Sequence, residues 1–445
     1  MQPNRGLNIR ETYYTYCNNI SNIVIACRFR YPNSDKNDIV DRLQNILGYL
    51  QSSNPLLRCT INIGIDKKWI FEQSEFIKDV SVKILNVKSE DMSMEIKNSI
   101  EFELSKRFDI DKYESLMRLK LLVSDNKEEY YGLILTSSHT AFDGKIAMYF
   151  FKSIMNLLAN PSENNLQQPL KQSLQESNTP LRPPEYESWF NFSKLVKYIG
   201  SFLAFEWYRS PKRFLYQTND KSTIDSSKTK STYIKLDESQ TVQFIQECKK
   251  QQCSVTSALS TLLAYSVSHT LDTPFVSGGL AVDLRSKLNI KEYTNGVFIS
   301  TLLLCHNLSG EQSLFNSNNF WSESKRVNDQ LKYSLENGDH FRLLSLNLMK
   351  KDQASNGSPI GVSYALSSLG NISMDFSKSE KELSIEDLQI TSTIQPPNNQ
   401  LVELTTVTLN NRIHLDFGYV SSLNRDQVDK FIQLFQDYLN NLLQS

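Results

Sequence analysis

The residues of this chain best suited to chemistry lie in the stretch HTAFDG, residues 139–144. Histidine titrates near neutral pH, so a neutral imidazole at His139 could accept a proton from a hydroxyl or an amine. Asp143 has two roles open to it: it could cap a helix, or form a buried ion pair with an arginine that holds the loop. Gly144 allows an unusual backbone angle or close packing. By residue type alone, His139 is either a general base or a structural residue of a turn.

The sequence on either side of this stretch predicts the elements that position it. Residues 131–137 form an apolar run typical of a buried strand, and a strongly apolar helix is predicted from about Lys145. His139 would therefore lie at the carboxyl end of a strand. Ligands of open α/β sheets bind at that end.

The other histidines form no comparable site. His269 falls in a predicted helix, His306 and His414 follow or lie in predicted strands, and His340 lies in a polar stretch. None has a helical partner at the spacing of a zinc ligand pair, and the six cysteines show no CxxC spacing. We therefore predict no metal site, and thiols that stay reduced. The chain also contains neither a GxSxG elbow nor a P-loop.

Composition indicates a globular protein of ordinary type. The 445 residues are 40% hydrophobic and 22% charged, with 48 basic against 49 acidic side chains. This balance, without a dense basic run, argues against a nucleic-acid-binding protein. No secretory signal and no spanning helix are predicted, which favours a cytoplasmic location.

Hydrophobic periodicity predicts two α/β halves: residues 1–170, carrying the His139 stretch, and residues 232–445, with a crossover at 171–231. In the first half, strands are predicted at 22–29, 57–65, 117–124 and 131–137, and helices at 38–51 and 92–104. In the second half, helices are predicted at 238–252, 256–270 and 425–443. Strands are predicted from Thr232 and at 276–283, 296–304, 361–366, 389–393, 401–409 and 412–419.

The crossover contains an aromatic-rich segment, residues 189–216. One interpretation is a helix that packs between the domains or over a substrate channel. The other is an interfacial helix, with peripheral membrane contact through residues 189–213. The charges of Lys194, Lys197 and Glu206 argue against a spanning helix.

The pattern HxxxDG after a strand, in a chain with two α/β halves, resembles the CoA-dependent acyltransferase superfamily. That superfamily includes chloramphenicol acetyltransferase, the plant BAHD enzymes, alcohol acetyltransferases and the condensation domains of nonribosomal synthetases. Further stretches resemble its other elements in the same order along the chain: 10–13 (RETY), 54–58 (NPLLR), 108–109 (FD), 116–119 (LMRL), 282–285 (VDLR), 295–298 (NGVF) and 365–370 (ALSSLG).

The chain departs from the superfamily pattern at two points. Many members carry two adjacent histidines, whereas Ser138 precedes His139 here. The second histidine is the base by resemblance, so this change is tolerable. The serine–asparagine pair of the superfamily reads Ser367-Ser368, which puts any role of the asparagine in doubt.

The resemblance implies an α/β (α+β) fold of two chloramphenicol-acetyltransferase-like domains with an active-site tunnel between them. His139 would be the general base for attack on an acyl thioester. Asp143 would face away from the acyl group and pair with Arg285, with Gly144 and Arg285 supporting the site. Ser367 or Ser368 would contact the acyl oxygen as it becomes an oxyanion.

Three functions follow as expectations. The first is an O-acyltransferase that uses acyl-CoA as co-substrate, without a tightly bound cofactor, and acts on a small or lipid-like alcohol or amine. The second is a condensation-type protein that takes its acyl group from an acyl carrier protein. The third is a non-catalytic scaffold of the same fold. A monomer is expected, because each active site would be built within one chain.

Overall fold

A computed structural model describes residues 4–16, 21–32, 36–64, 68–73, 82–108, 115–125, 130–160, 203, 213–220, 222–223, 226–341, 362–374, 383–394 and 401–444. Most of the predicted crossover, including nearly all of the aromatic-rich segment, lies outside these residues. In the described part of the chain, no helix is long and apolar enough to cross a membrane.

The described residues contain both helices and strands in each half of the chain. The helices are α1 (Ile9–Tyr16), α2 (Lys36–Ser53), α3 (Met92–Ser105), α4 (Gly144–Ala159), α5 (Glu238–Lys250), α6 (Val255–Leu271), α7 (Ser317–Asn337) and α8 (Arg425–Gln444). The strands are β1 (Asn4–Gly6), β2 (Asn22–Arg30), β3 (Cys59–Ile63), β4 (Trp69–Gln73), β5 (Val82–Val87), β6 (Met117–Ser124), β7 (Tyr130–Ser138), β8 (Thr229–Lys235), β9 (Phe275–Asp283), β10 (Ile299–Asn307), β11 (Tyr364–Ile372), β12 (Ser384–Ser392), β13 (Val402–Leu409) and β14 (Arg412–Val420).

The chain divides into two compact units that are not contiguous in sequence. The first unit contains Met1–Leu181, Leu284–Phe298 and Asn371–Thr393. The second unit contains Arg182–Asp283, Ile299–Gly370 and Ile394–Ser445. The split into halves drawn from the sequence therefore differs from the structure at 284–298 and 371–393, two segments of the second half that pack in the first unit.

The first unit is built on a five-stranded mixed sheet in the order β12-β2-β7-β6-β5. β2, β6 and β7 pair antiparallel, β5 pairs parallel with β6, and β12 adds antiparallel to the free edge of β2. β7 lies near the middle of this sheet, and all but its first residue are buried. A continuous apolar strand is the pattern expected when both faces are covered. A three-stranded sheet in the order β1-β4-β3 completes the unit.

The second unit is built on a six-stranded sheet in the order β10-β9-β11-β13-β14-β8. Side chains at helical spacing along α8 are buried on one face: Val428, Phe431, Ile432, Phe435 and Leu442. Tyr438 is partly buried against the same core. This face packs into the hydrophobic core of the unit, as its 3.6-residue period requires.

Secondary-structure prediction from the sequence is confirmed for most long elements and wrong at several short or polar ones. The predicted strand 57–65 begins at Cys59, because Pro55–Arg58 forms a 3₁₀ turn. The strand predicted at 296–304 starts at Ile299. The predicted strands and helices do not include β1, α1, β4, β5 and α7.

A buried polar chain in the second unit links its sheet to its helices. The imidazole of His306 contacts Glu323 through Nδ1 at 2.8 Å and the hydroxyl of Tyr364 through Nε2 at 2.7 Å, and that hydroxyl lies 2.6 Å from Ser260 Oγ. Gly278 makes room for Tyr364, since a Cβ there would lie 2.1 Å from the tyrosine ring. Burial lowers the pKa of His306 while its bond to Glu323 opposes that shift.

We expect the substitution Tyr364→Phe to lower the free energy of unfolding by about 1–3 kcal/mol, because Nε2 of His306 loses its closest partner in a buried setting. Chemical denaturation measures this effect. The control is Tyr333→Phe, which changes a tyrosine that is 55% exposed and is expected to change stability by less than about 0.5 kcal/mol. Equal stability of the two variants would contradict the prediction.

Candidate active site

His139 lies in the turn that follows β7, at the carboxyl end of that strand. Two backbone hydrogen bonds hold the turn from either side: the N–H of Ser138 donates to Leu116 O at 2.9 Å, and the N–H of His139 donates to Ser21 O at 2.7 Å. The N–H groups of Ala141 and Phe142 both donate to Ser138 O and close the turn. The backbone that carries the imidazole is thus fixed to two neighbouring segments.

Asp143 performs both of the roles that the sequence left open. Its Oδ1 accepts from the N–H of Ile146 at 3.1 Å and caps α4, which begins at Gly144. Its Oδ2 accepts from Arg285 Nη1 at 2.8 Å and from the N–H of Phe298 at 3.0 Å. Both carboxylate oxygens are thus engaged by donors other than His139, so Asp143 holds the turn and the start of the helix.

Arg285 is fully buried and ties the segment 284–298 to Asp143. Beyond the ion pair, its Nε and Nη2 donate to the carbonyl of Thr294 at 3.2 and 3.0 Å, and Nη2 donates to that of Gly296 at 3.1 Å. The guanidinium also lies 5.0 Å from the centre of the Phe298 ring. Gly296 adopts φ +126°, a conformation that disfavours a side chain, so this residue needs to be glycine.

The NPLLR stretch that the resemblance singled out also reaches this region. Asn54 Oδ1 accepts a hydrogen bond from Asn295 Nδ2 at 3.0 Å, and both side chains are buried. Two of the sequence motifs therefore meet in the first unit, around the segment that carries Arg285.

The imidazole of His139 packs face to face against Tyr14 of α1, with ring centroids 3.9 Å apart and 17° between the planes. His139 Nδ1 is shielded from solvent and has no hydrogen-bond partner among the described residues. Burial lowers the pKa of His139 to about 4, the charge of Asp143 and nearby backbone carbonyls oppose this shift, and the charge of Arg10 adds to it. The ring is therefore neutral at pH 7 and able to accept a proton.

This pKa predicts an unusual pH profile for any reaction in which His139 is the base. The activity should fall on the acid side with an apparent pKa near 4 and not near 6.5, because the base loses activity only when it binds a proton. The measurement is kcat/KM against pH, with samples returned to pH 7 to separate titration from unfolding. An acid limb near 6.5 would contradict the prediction.

The lowered pKa of His139 also makes the stability of the fold depend on pH. Between about pH 4 and 6.5 the unfolded chain holds a proton on His139 and the folded chain does not. The contribution of this group to the free energy of unfolding therefore decreases as the pH falls through that window.

Ser367 and Ser368 lie in β11, within the second unit. Both are partly buried, and Thr256 Oγ1 donates to Ser368 Oγ at 3.3 Å. Their contact with an acyl oxygen stays a prediction, as do the catalytic role of His139 and the supporting roles of Asp143, Gly144 and Arg285.

Sequence reasoning missed the α1 side of the site. Tyr14 was not among the candidate residues, although Arg10 and Glu11 belong to a stretch that the resemblance singled out. Arg5 holds Glu11 through two 2.8 Å hydrogen bonds, and the N–H of Asn8 donates to the same carboxylate at 2.7 Å. The available signal was the spacing of Arg10 and Tyr14, four residues apart, which is typical of one helix face.

No group of three or more histidine, cysteine, aspartate or glutamate side chains with metal-binding geometry occurs in the described ranges.

Comparison with known proteins places these features in a known fold. No protein-family model and no curated protein sequence matches the chain. Among solved structures, the chain is similar to trichothecene 15-O-acetyltransferase from Fusarium sporotrichioides, with 13% identity, 99% of this chain and 95% of that chain covered, and a TM-score of 0.76.

Two further structures show the same likeness. The first condensation domain of the CDA synthetase is 13% identical, with 99% and 95% of the two chains covered and a TM-score of 0.71. Polyketide synthase associated protein 5 from Mycobacterium tuberculosis is 13% identical, with 97% and 98% covered and a TM-score of 0.65. The chain therefore has the two-domain fold of the chloramphenicol-acetyltransferase-like acyltransferases and condensation domains, and the resemblance seen in the sequence is confirmed for the fold.

Proposed function

We propose that this protein is an acyltransferase that moves an acyl group from a thioester to the hydroxyl or amine of an acceptor. The observation that carries the proposal is the neutral imidazole of His139 at the carboxyl end of β7, on a turn held by the buried Asp143–Arg285 pair. A fold that includes an acetyltransferase adds support but does not decide the reaction, since one fold hosts many functions.

In the proposed mechanism, His139 accepts the proton of the acceptor O–H or N–H as that oxygen or nitrogen attacks the thioester carbonyl carbon. The tetrahedral intermediate then collapses, the C–S bond breaks, and the imidazolium returns the proton to the departing sulfur. The lowered pKa makes His139 a weak base and its conjugate acid a strong acid, which suits the return of the proton. Ser367 or Ser368 is proposed as a donor to the intermediate oxyanion.

Acyl-CoA is the proposed donor, and a small or lipid-like alcohol the proposed acceptor. A second candidate donor is an acyl group bound to a carrier protein. The similarity to the condensation domain of the CDA synthetase supports this alternative about as well as the similarity to the acetyltransferase supports the first, since the TM-scores are 0.71 and 0.76.

The test is release of free thiol by the purified protein, followed with a panel of acyl-CoAs and alcohols of different chain length. Release that requires both substrates supports the CoA-dependent reaction. Transfer only from an acyl group loaded on a carrier protein supports the condensation-type alternative. If neither donor supports transfer, a non-catalytic scaffold of the same fold is the favoured function.

A further inference from the structure

Helix α1 carries a second functional group beside His139. Arg10 and Tyr14 are one helical turn apart, so their side chains extend from the same face of the helix. Asn8 fixes the start of this turn, because its Oδ1 accepts from the N–H groups of Arg10 and Glu11 at 2.9 and 3.0 Å. Since Tyr14 stacks on His139, the face that carries Arg10 borders the imidazole.

Two of the three guanidinium nitrogens of Arg10 are shielded and unpaired in the part of the chain that the structure describes. Its Nε and Nη2 are closed off from solvent and have no hydrogen-bond partner within the described residues. A guanidinium stays charged and offers five donors, and leaving such donors buried and unpaired is costly. The nearby Arg5 differs in that both of its Nη atoms donate to Glu11, although its Nε is also without a partner among the described residues.

Two buried carboxylates of this region, Glu11 and Asp143, are already engaged by other donors. Glu11, the next residue along the chain, accepts from Arg5 and from the backbone of Asn8. Asp143 accepts from Arg285 and from two backbone N–H groups. Neither carboxylate is hydrogen-bonded to Arg10, and the charge of Arg10 adds a minor contribution to the burial that lowers the pKa of His139.

We propose that Arg10 binds a carboxylate carried by the substrate that reaches His139. The identification of the ligand as a substrate rests on the proposed function. The inference adds that this substrate carries a carboxylate. Guanidinium and carboxylate match in charge and in planar two-bond geometry. The phosphates of CoA or of a carrier-protein arm do not fit, because the whole pantetheine chain separates them from the carbonyl under attack.

The carboxylate could belong to the acceptor, as in a hydroxy acid, or to the acyl group, as in a half-thioester of a dicarboxylic acid. Binding measurements separate these sources. By calorimetry, the protein is titrated with ω-hydroxyhexanoate and with hexanol as its neutral counterpart, and separately with succinyl-CoA and with butyryl-CoA. Preference for the hydroxy acid over the alcohol assigns the carboxylate to the acceptor, and preference for succinyl-CoA over butyryl-CoA assigns it to the donor.

The variant Arg10→Gln removes the charge and keeps a polar side chain. We expect it to weaken binding of the preferred anionic probe about 10- to 100-fold, the range for a hydrogen bond to a charged group, and to leave the neutral probe within about 3-fold. Arg10→Lys should retain part of the affinity. Arg107→Gln, which changes an exposed arginine of the same unit, is the matched control and should bind all probes as the unaltered protein does.

Equal loss for the anionic and the neutral probe, or no loss in Arg10→Gln, would overturn the proposal. So would an unaltered protein that does not distinguish the members of either pair. Because binding needs no turnover, titrations of the unaltered protein keep this result separate from the acyltransferase proposal: selective binding by an unaltered protein that shows no transfer would retain the carboxylate site and reject the reaction.

Discussion

His139→Ala is expected to lower the rate of acyl transfer by about 10²–10⁴-fold, the usual contribution of a positioned general base. In the structure this imidazole is neutral at pH 7, and Tyr14 holds its ring by stacking. Removal of the ring leaves no other imidazole in the turn. The measurement is thiol release at saturating acyl-CoA and acceptor, compared with the rate of the unaltered protein.

The matched control is His269→Ala. His269 lies in the second unit, where its ring contacts Tyr438 and the carbonyl of Ser313, so its loss removes a histidine without touching the turn after β7. This variant should keep activity within about 3-fold of the original rate. Because His139→Ala also removes a stacking contact, circular dichroism and a denaturation curve must show that it is folded. Undiminished transfer by folded His139→Ala would exclude this residue as the base.

Arg285→Met is expected to lower the free energy of unfolding by about 3–5 kcal/mol, which is the cost of removing one partner of a buried ion pair. The side chains of Arg285 and Asp143 are 1% and 0% exposed, so the carboxylate left behind has no access to water. The carbonyls of Thr294 and Gly296 lose their donors as well. Chemical denaturation of the purified variant measures the loss.

The chain offers a matched control in the surface pair of Arg425 and Asp429 at the start of α8. Its N–O distance, 2.9 Å, is close to the 2.8 Å of the buried pair, but its side chains are 60% and 53% exposed. Arg425→Met should therefore cost less than about 1 kcal/mol. Similar losses in the two variants would show that burial of the Arg285 pair has no special effect on stability.

The predicted effect of Arg285→Met on catalysis is indirect. Arg285 binds Asp143, and Asp143 caps α4 and accepts from the backbone of Phe298. Activity should fall because the turn loses its anchor, and the acid limb of the pH profile should move toward the ordinary pKa of histidine as water enters. A folded variant with unchanged activity and an unchanged pH profile would show that the turn does not depend on this pair.

Much of the local structure was predictable because interactions between near neighbours in the chain determine it. The period of apolar residues identified α4 and α8, and the continuous apolar run identified β7. Asp before Gly at the start of an apolar run is a helix-capping signal, and Asp143 caps α4 as that signal indicates. Each of these features depends on residues within a few positions of one another.

Prediction failed where local patterns are weak. α7 has many polar residues and its buried side chains are interrupted by charges, although Asn316 caps its start and Gly338 ends it. β4 and β5 are short and mostly partly exposed or exposed, so their sequences lack the alternation or the apolar run that marks a strand. Such elements depend on the partners they pair with in the sheet.

The sequence by itself determined the elements around His139, the position of the histidine at the end of a strand, and the cap that Asp143 supplies. The tertiary structure decided which distant segments meet there: the pairing of Asp143 with Arg285 was expected only by resemblance, and the stacking of Tyr14 on His139 and the addition of β12 to the first sheet were not expected. Helix periodicity and capping act between near neighbours in the chain. Ion pairs, ring stacking and strand pairing act between residues whose distance along the chain says nothing of their distance in space.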